Sequence, residues 1–241
     1  MNILCLIPAR GKSKRIPNKN LRKLLGKPLI GYTIEKALKS KLCTRVAVST
    51  DEADIAAVAR EYGADIVMRP DNLAQDESPI DDALRHALRH FEKKDGRRIE
   101  IAVLLQANVP VRKDGEIDEV INKLIENKDA TATTTVYAVD QRPEWAKTIE
   151  GETGIIRPFM EPTELYRKQT LADLYLLDGA ITAVRREALL ATEGMRKIHA
   201  YMGERVYPLR HARKYATEVD EEEDFELAEY YLLGEKKQAM V

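Results

Sequence analysis

The chain has 241 residues, 44% hydrophobic and 33% charged, with 39 Lys and Arg against 40 Asp and Glu and a formal net charge of −1. That length builds one sizeable α/β domain with its own core, and the near-neutral balance argues against a surface made to wrap nucleic acid, so any anion site has to be local. Met1 to Ala9 is too short to span a bilayer and runs into a basic loop instead of small cleavage-site residues, so neither an export signal nor a membrane partner is expected.

Apolar runs of strand type then alternate with amphipathic helical ones. Ile3 to Ile7 reads as a strand, followed after the basic loop by a helix over Leu29 to Lys39, with Ile30, Ile34, Ala37 and Leu38 at helical spacing. Next come a strand over Arg45 to Ser49, a helix over Ala53 to Glu61 and a strand over Ile66 to Met68. A helix over Pro79 to Phe91, a strand over Ile101 to Leu105, a helix over Gly115 to Glu126 and a strand over Thr131 to Val139 complete the run. Cys5 and Cys43 lie in apolar stretches with no second Cys or His at metal-ligand spacing, which predicts reduced thiols and a cytoplasmic setting. Between Asp140 and Ala172 the alternation stops, broken by Pro143, Gly151, Gly154, Pro158 and Pro162, and the stretch reads as an arm (140–172) inserted into a single domain of residues 1–241. Strands over Ala180 to Val184 and Arg205 to Tyr207 and a helix over Glu222 to Leu233 close the chain. The βαβα order predicts a mostly parallel, doubly wound α/β sheet with helices on both faces. In such a sheet ligands sit beyond the carboxyl ends of the strands, which directs attention to the loops after Ile7, Ser49 and Leu105.

The first of these loops, Pro8-Ala9-Arg10-Gly11-Lys12-Ser13-Lys14-Arg15-Ile16-Pro17-Asn18-Lys19-Asn20, puts five cations into ten residues. A triphosphate requires several cations and backbone N–H groups, and Gly11 would let the backbone approach it. Lys and Arg here would also neutralise charge building on a departing pyrophosphate. The spacing matches neither the P-loop nor Gly-x-Gly-x-x-Gly, which counts against an ATPase and against a nicotinamide oxidoreductase. The acidic run from Glu218 to Asp224 suits a solvated helix N-terminus as well as a metal site.

Arg10, Gly11, Ser13, Lys14, Lys19 and Asn20, together with Leu25-Gly26-Lys27-Pro28-Leu29-Ile30, resemble the opening motifs of the cytidylyltransferases that activate 2-keto sugar acids such as sialic acid, with Lys12 at a usual glycine. Val48-Ser49-Thr50-Asp51, Arg69-Pro70, Leu73-Ala74 and Asp76 are similar to the family's next active-site stretches. Gln106, Pro110 and Arg112 match a further one, in which Asn108 and Val109 depart from it. Glu218-Val219-Asp220 and Asp224-Phe225 resemble the family's metal-binding strand end, and Tyr166-Arg167-Lys168-Gln169 and Asp178-Gly179-Ala180-Ile181-Thr182 its sugar-side stretches.

The resemblance implies a Rossmann-like nucleotidyltransferase that couples CMP from CTP to an acidic 2-keto sugar, uses Mg²⁺, and forms a homodimer through the arm. It gives Arg10, Lys14 and Lys19 the triphosphate and pyrophosphate departure. Arg10, Gly11, Ser13, Asn20, Arg69, Ser78 and Gln106 would hold the nucleotide, and Gln106, Lys147, Arg167, Gln169 and Asp178 the sugar. Asp220 and Glu218 become the metal ligands, Mg²⁺ taking hard oxygens and needing few from protein. Asn108 is a second place for a metal or nucleotide contact, and Ser78 before Pro79 also fits a helix N-cap. No His stands as an obvious base. Two other readings share the loop: a cytidylyltransferase for an octulosonic acid or polyol phosphate, and a nucleotide-binding module without catalysis.

Overall fold

The first strand, β1 (Ile3–Pro8), is buried on both faces, and its side chains alternate between two layers around a sheet. Ile3, Cys5 and Ile7 enter one core with Val46, Val48, Val103 and Leu105; Leu4 and Leu6 enter the other with Ala47, Ala102 and Leu104. The first core is covered by α1 (Leu29–Leu38), α2 (Ala53–Glu61) and α4 (Glu116–Glu126), the second by α3 (Ile80–Asp95) and α5 (Arg186–Ala191). A computed structural model describes all residues except 12, 14, 76, 140, 162–171 and 239–241.

The remaining strands are β2 (Lys23–Leu24), β3 (Lys27–Pro28), β4 (Arg45–Thr50), β5 (Asp65–Met68), β6 (Ile101–Leu105), β7 (Ala132–Ala138), β8 (Lys147–Ile149), β9 (Ile156–Pro158), β10 (Tyr175–Arg185) and β11 (Val206–Arg210). Seven form one sheet in the order β11-β7-β10-β6-β1-β4-β5. β1, β4, β5 and β6 run parallel, β10 is antiparallel to both β6 and β7, and β11 is parallel to β7. The expected mostly parallel, doubly wound architecture is therefore present, with one reversed strand. β10 begins five residues before the predicted Ala180, and α5 lies where no helix was predicted. The early part of β10 escapes a hydrophobicity reading because Asp178 and Gly179 sit at a register shift between Leu177 and Thr182.

Within the predicted arm, β8 and β9 pair, among the described residues, only with each other. Trp145 at its start is 44% exposed, so it is not folded back into the core. Cys5 and Cys43 form a disulfide, which corrects the expectation of two reduced thiols. Cys43 precedes β4, which is the direct neighbour of β1, so the two residues are brought side by side by strand pairing.

A third cluster fixes the functional edge. α6 (Glu222–Gln238) sends Phe225, Ala228 and Leu232 against Ile16, Leu24, Leu29 and Val111, so the C-terminal helix packs on the basic loop that follows β1. The acidic turn preceding α6 is thereby brought to that loop across some 200 residues of chain.

Candidate active site

At the carboxyl ends of β1 and β4 the loops are knitted together. The Ala9 N–H donates to the Ser49 carbonyl at 2.9 Å, and the Gly11 N–H to Asp51 Oδ1 at 3.0 Å. A Cβ on Gly11 would lie 2.7 Å from Glu52 Oε2, so the close approach this glycine permits is to Glu52 and Asp51 of its own chain. Asn20 is buried and donates through Nδ2 to the Arg10 carbonyl at 3.2 Å, which makes it a brace for the loop. Arg69 folds back onto the same corner, donating to Ser49 Oγ at 3.2 Å and the Ser49 carbonyl at 2.8 Å. Burial lowers the Arg69 pKa, Asp51 opposes that shift and Arg10 adds to it, which sets Asp51, Arg69 and Arg10 within electrostatic reach of one another. Ser78 does not cap α3: its hydroxyl donates to the Asn72 carbonyl at 3.2 Å, because the Pro70–Ser78 segment turns back on itself. Ser13 closes a turn through its N–H to the Gly11 carbonyl at 3.1 Å.

The acidic turn meets this corner at Asp220. Lys19 Nζ lies 2.6 Å from Asp220 Oδ1, and Arg15 3.4 Å from Oδ2. Asn108 Nδ2 donates to Oδ1 at 3.1 Å while its carbonyl accepts from the Val219 N–H at 2.8 Å. Asn108, expected as a second place for a metal or nucleotide contact, thus presents its amide nitrogen to the Asp220 carboxylate. Burial works against the Asp220 charge, but Lys19, Arg15 and Asn108 outweigh it and hold the carboxyl below its usual range. Asp224 Oδ2 accepts the N–H groups of Asp220 and Glu221, both at 2.8 Å, which caps the start of α6 and fixes the turn. Glu218 is pushed up to about 7 by burial and by repulsion from Asp220 and Asp178. Among the described residues no group of three or more His, Cys, Asp or Glu is placed to hold a metal. Glu218 and Asp220 nevertheless offer hard oxygens in a carboxylate-rich corner, and Mg²⁺ completes its shell with water and phosphate.

Behind this corner lies a buried quartet that the sequence did not disclose. Arg112, 1% exposed, donates to Thr33 Oγ1 at 2.7 Å, the Gln106 carbonyl at 2.7 Å, the Ala180 carbonyl at 3.0 Å and the Val109 carbonyl. His211, next to the end of β11, is clamped between Glu116 Oε1 at 3.0 Å and Asp178 Oδ2 at 2.6 Å. Asp178, expected at the sugar, is instead inside the protein, with Oδ1 accepting from the Ala180 N–H at 2.8 Å and from the Thr135 hydroxyl. Its side chain is consumed by holding the bulge of β10, so it corrects the assignment of that carboxylate to substrate. The Gln106 amide lies against Gly179, where a Cβ would come within 2.1 Å of Nε2. Lys147 lies on the exposed β8–β9 hairpin, outside this corner. Lys14, Arg167 and Gln169 fall outside the described residues.

Burial opposes the charge on His211, but the hydrogen bonds to Asp178 and Glu116 win and raise its pKa to about 9. A histidine held at about 9 in the fold against 6.5 when unfolded binds its proton more tightly in the native state. Its contribution is complete below 6.5 and lost as pH rises through about 9; the raised Glu218 also favours lower pH. Thermal unfolding followed by circular dichroism is expected to show Tm falling between those values, with the slope reduced in His211→Gln.

Comparison with known proteins agrees with this geometry. Residues 4–237 match the family model described as cytidylyltransferase. The chain is 35% identical over 183 residues to a CMP-N,N'-diacetyllegionaminic acid synthase of Legionella pneumophila, covering 75% of this chain and 77% of that protein. It is 31% identical to a pseudaminic acid cytidylyltransferase of Campylobacter jejuni over 95% of both chains. An N-acylneuraminate cytidylyltransferase of Streptococcus agalactiae is 30% identical over 93% of this chain, which spans about half (52%) of that longer protein. A solved CMP:2-keto-3-deoxy-manno-octonic acid synthetase complexed with CTP shares the fold, with a TM-score of 0.73 at 19% identity over 98% of this chain and 100% of that one. With a basic loop after β1 tied to a carboxylate turn before α6 on a mostly parallel sheet, the chain belongs to the cytidylyltransferase family.

Proposed function

We propose that this protein transfers CMP from CTP to a 2-keto sugar acid of the nonulosonic type and releases pyrophosphate. The observation that carries the reading is the Lys19–Asp220 contact, where a phosphate-binding loop and a carboxylate turn meet at the strand ends. The sugar's anomeric oxygen forms a bond to the α-phosphorus as the bond from that phosphorus to the bridging oxygen of pyrophosphate breaks. Arg10, Lys14 and Lys19 offset the charge gathering on pyrophosphate. Gly11, Ser13 and Asn20 shape the loop, and Arg69, Ser78 and Gln106 line the nucleotide's path. Glu218, which burial and the neighbouring Asp220 and Asp178 make a better base than an ordinary carboxylate, is our candidate to accept the hydroxyl proton. Mg²⁺, held by Asp220 with Glu218 beside it, would supply Lewis-acid stabilisation of the phosphates.

The arm supports a homodimer. Ile149, Ile156 and Phe159 are 72%, 64% and 64% exposed on or beside its hairpin, and a patch of that kind is usually covered by a partner. A second subunit would bring Lys147, Arg167 and Gln169 towards a sugar site. No described helix is long and apolar enough to cross a membrane. The Cys5–Cys43 disulfide removes reduced thiols as a ground for a cytoplasmic setting, and we place the reaction in the cytoplasm on the ground that CTP is supplied there.

The test is pyrophosphate release from CTP and Mg²⁺ against a panel of eight- and nine-carbon 2-keto sugar acids and a polyol phosphate. Release with a nine-carbon acid is the expected result. Release only with an eight-carbon acid or a polyol phosphate moves the acceptor class, and CTP binding without any turnover favours a non-catalytic module.

A further inference from the structure

Between β7, β10 and the start of α6 lies a cavity of about 360 Å³, walled by Tyr137, Leu177, Asp178, Arg213, Glu218 and Asp224 among others. It shares Glu218 and Asp224 with the acidic turn, and its volume is that of a single small ligand. Its charge is lopsided. Glu218 and Asp224 contribute carboxyl groups, the Asp178 carboxylate being turned away to His211 and Thr135, and Arg213 is the one cation among its described lining residues.

An acidic sugar entering such a space is repelled everywhere except at the guanidinium. Arg213 is exposed, and among the described residues no ion pair engages it. Its backbone, however, is fixed on both sides. His211, two residues earlier, is clamped between Glu116 and Asp178, and the Thr217 hydroxyl donates to the Lys214 carbonyl at 2.8 Å to close the turn that follows. The same short segment goes on to deliver Glu218 and Asp220.

We infer that Arg213 binds the carboxylate of the sugar acid and thereby aims its nucleophilic hydroxyl. The inference rests on the sugar-acid reading given above. In a 2-keto sugar acid the carboxylate carbon is bonded to the anomeric carbon that carries the attacking oxygen. Whatever grips the carboxylate therefore fixes the nucleophile to within a bond or two. A guanidinium fork matches a carboxylate in two parallel hydrogen bonds, which a lysine cannot reproduce.

The experiment compares wild type, Arg213→Ala and Arg213→Lys on the acid that the panel selects and on its methyl ester, which keeps the hydroxyl but removes the charge. Loss of a charge-assisted hydrogen bond predicts a rise in sugar KM of roughly 10- to 100-fold in Arg213→Ala, with kcat also reduced and the KM for CTP unchanged. Wild type should prefer acid over ester by a similar factor and Arg213→Ala should not, while Arg213→Lys recovers only part of the preference. Retained acid-over-ester preference in Arg213→Ala overturns the inference, as does a parallel loss of CTP affinity. If wild type turns over no acid, the sugar-acid reading fails by itself. Calorimetric binding of the same acids to CTP-loaded protein then decides Arg213: binding weakened in Arg213→Ala supports it, and unaltered or absent binding sinks it.

Discussion

Asp220→Ala is expected to lower CMP transfer by about two orders of magnitude or more, the scale of losing one charge-stabilising group from a preorganised site, while leaving the fold in place. The fold survives because the Asp220 side chain is 36% exposed and its ion pair with Arg15 is solvent-screened. The turn itself is held by Asp224, which binds the Asp220 and Glu221 N–H groups through a carboxylate that the substitution leaves intact. Asp220→Asn separates the two roles this residue could have. It is isosteric and can still accept from Lys19 and Asn108, so a purely structural Asp220 would tolerate it with normal Mg²⁺ dependence. A metal ligand would not, because the amide removes the negative charge the cation requires. The expected outcome is an unchanged unfolding midpoint, near-zero pyrophosphate release and a large increase in the Mg²⁺ needed for half-maximal rate. Wild-type kinetics in Asp220→Asn would take Asp220 out of the metal site. Lys19→Ala is expected to be similarly inactive, since that amine joins the carboxylate turn to the phosphate loop.

The parts of this molecule that rest on local patterns could be read from the chain. β1, β4, β6 and their helices announce themselves through short continuous apolar runs and helical spacing, and the basic loop through charge density alone. Asp220 and Lys19 could each be singled out, but their meeting depends on α6 docking Phe225 and Leu232 onto the loop after β1, a tertiary event with no local signature. Asp178 shows the cost of reading a motif without its fold. Its position beside Gly179 looked like a substrate contact, yet a register shift in β10 turns the carboxylate inward to His211 and Thr135. Likewise Cys5 and Cys43 stand 38 positions apart in sequence, and only the β1–β4 pairing brings them together. Nothing in the spacing of His211, Glu116 and Arg112 hints that they share one buried volume.

Arg112→Met is expected to be the most destabilising single change near the site. The guanidinium is fully enclosed, and burial lowers its pKa to about 10 even though Glu116 and Asp178 pull in the other direction. Within the quartet Arg112 and His211 balance Glu116 and Asp178, so two cations face two anions out of contact with water. Methionine fills similar space but strands an excess of negative charge and removes the donors from the Gln106, Val109 and Ala180 carbonyls. Leaving a buried charge uncompensated costs about 3–5 kcal/mol, and at roughly 2–4 °C per kcal/mol for a chain of this size Tm should drop by about 10 °C. Lysine should not rescue it, because one ammonium cannot span the Thr33 hydroxyl and carbonyls from two elements that a planar fork reaches together. Differential scanning calorimetry supplies the decisive comparison. A fall of that size in both Arg112→Met and Arg112→Lys, with residual activity in proportion to folded protein, identifies Arg112 as the staple that holds the Gln106 loop against β10. A variant that keeps its midpoint but loses CTP binding would instead make Arg112 part of the nucleotide site, which its complete burial and its hydrogen bonds to backbone carbonyls argue against.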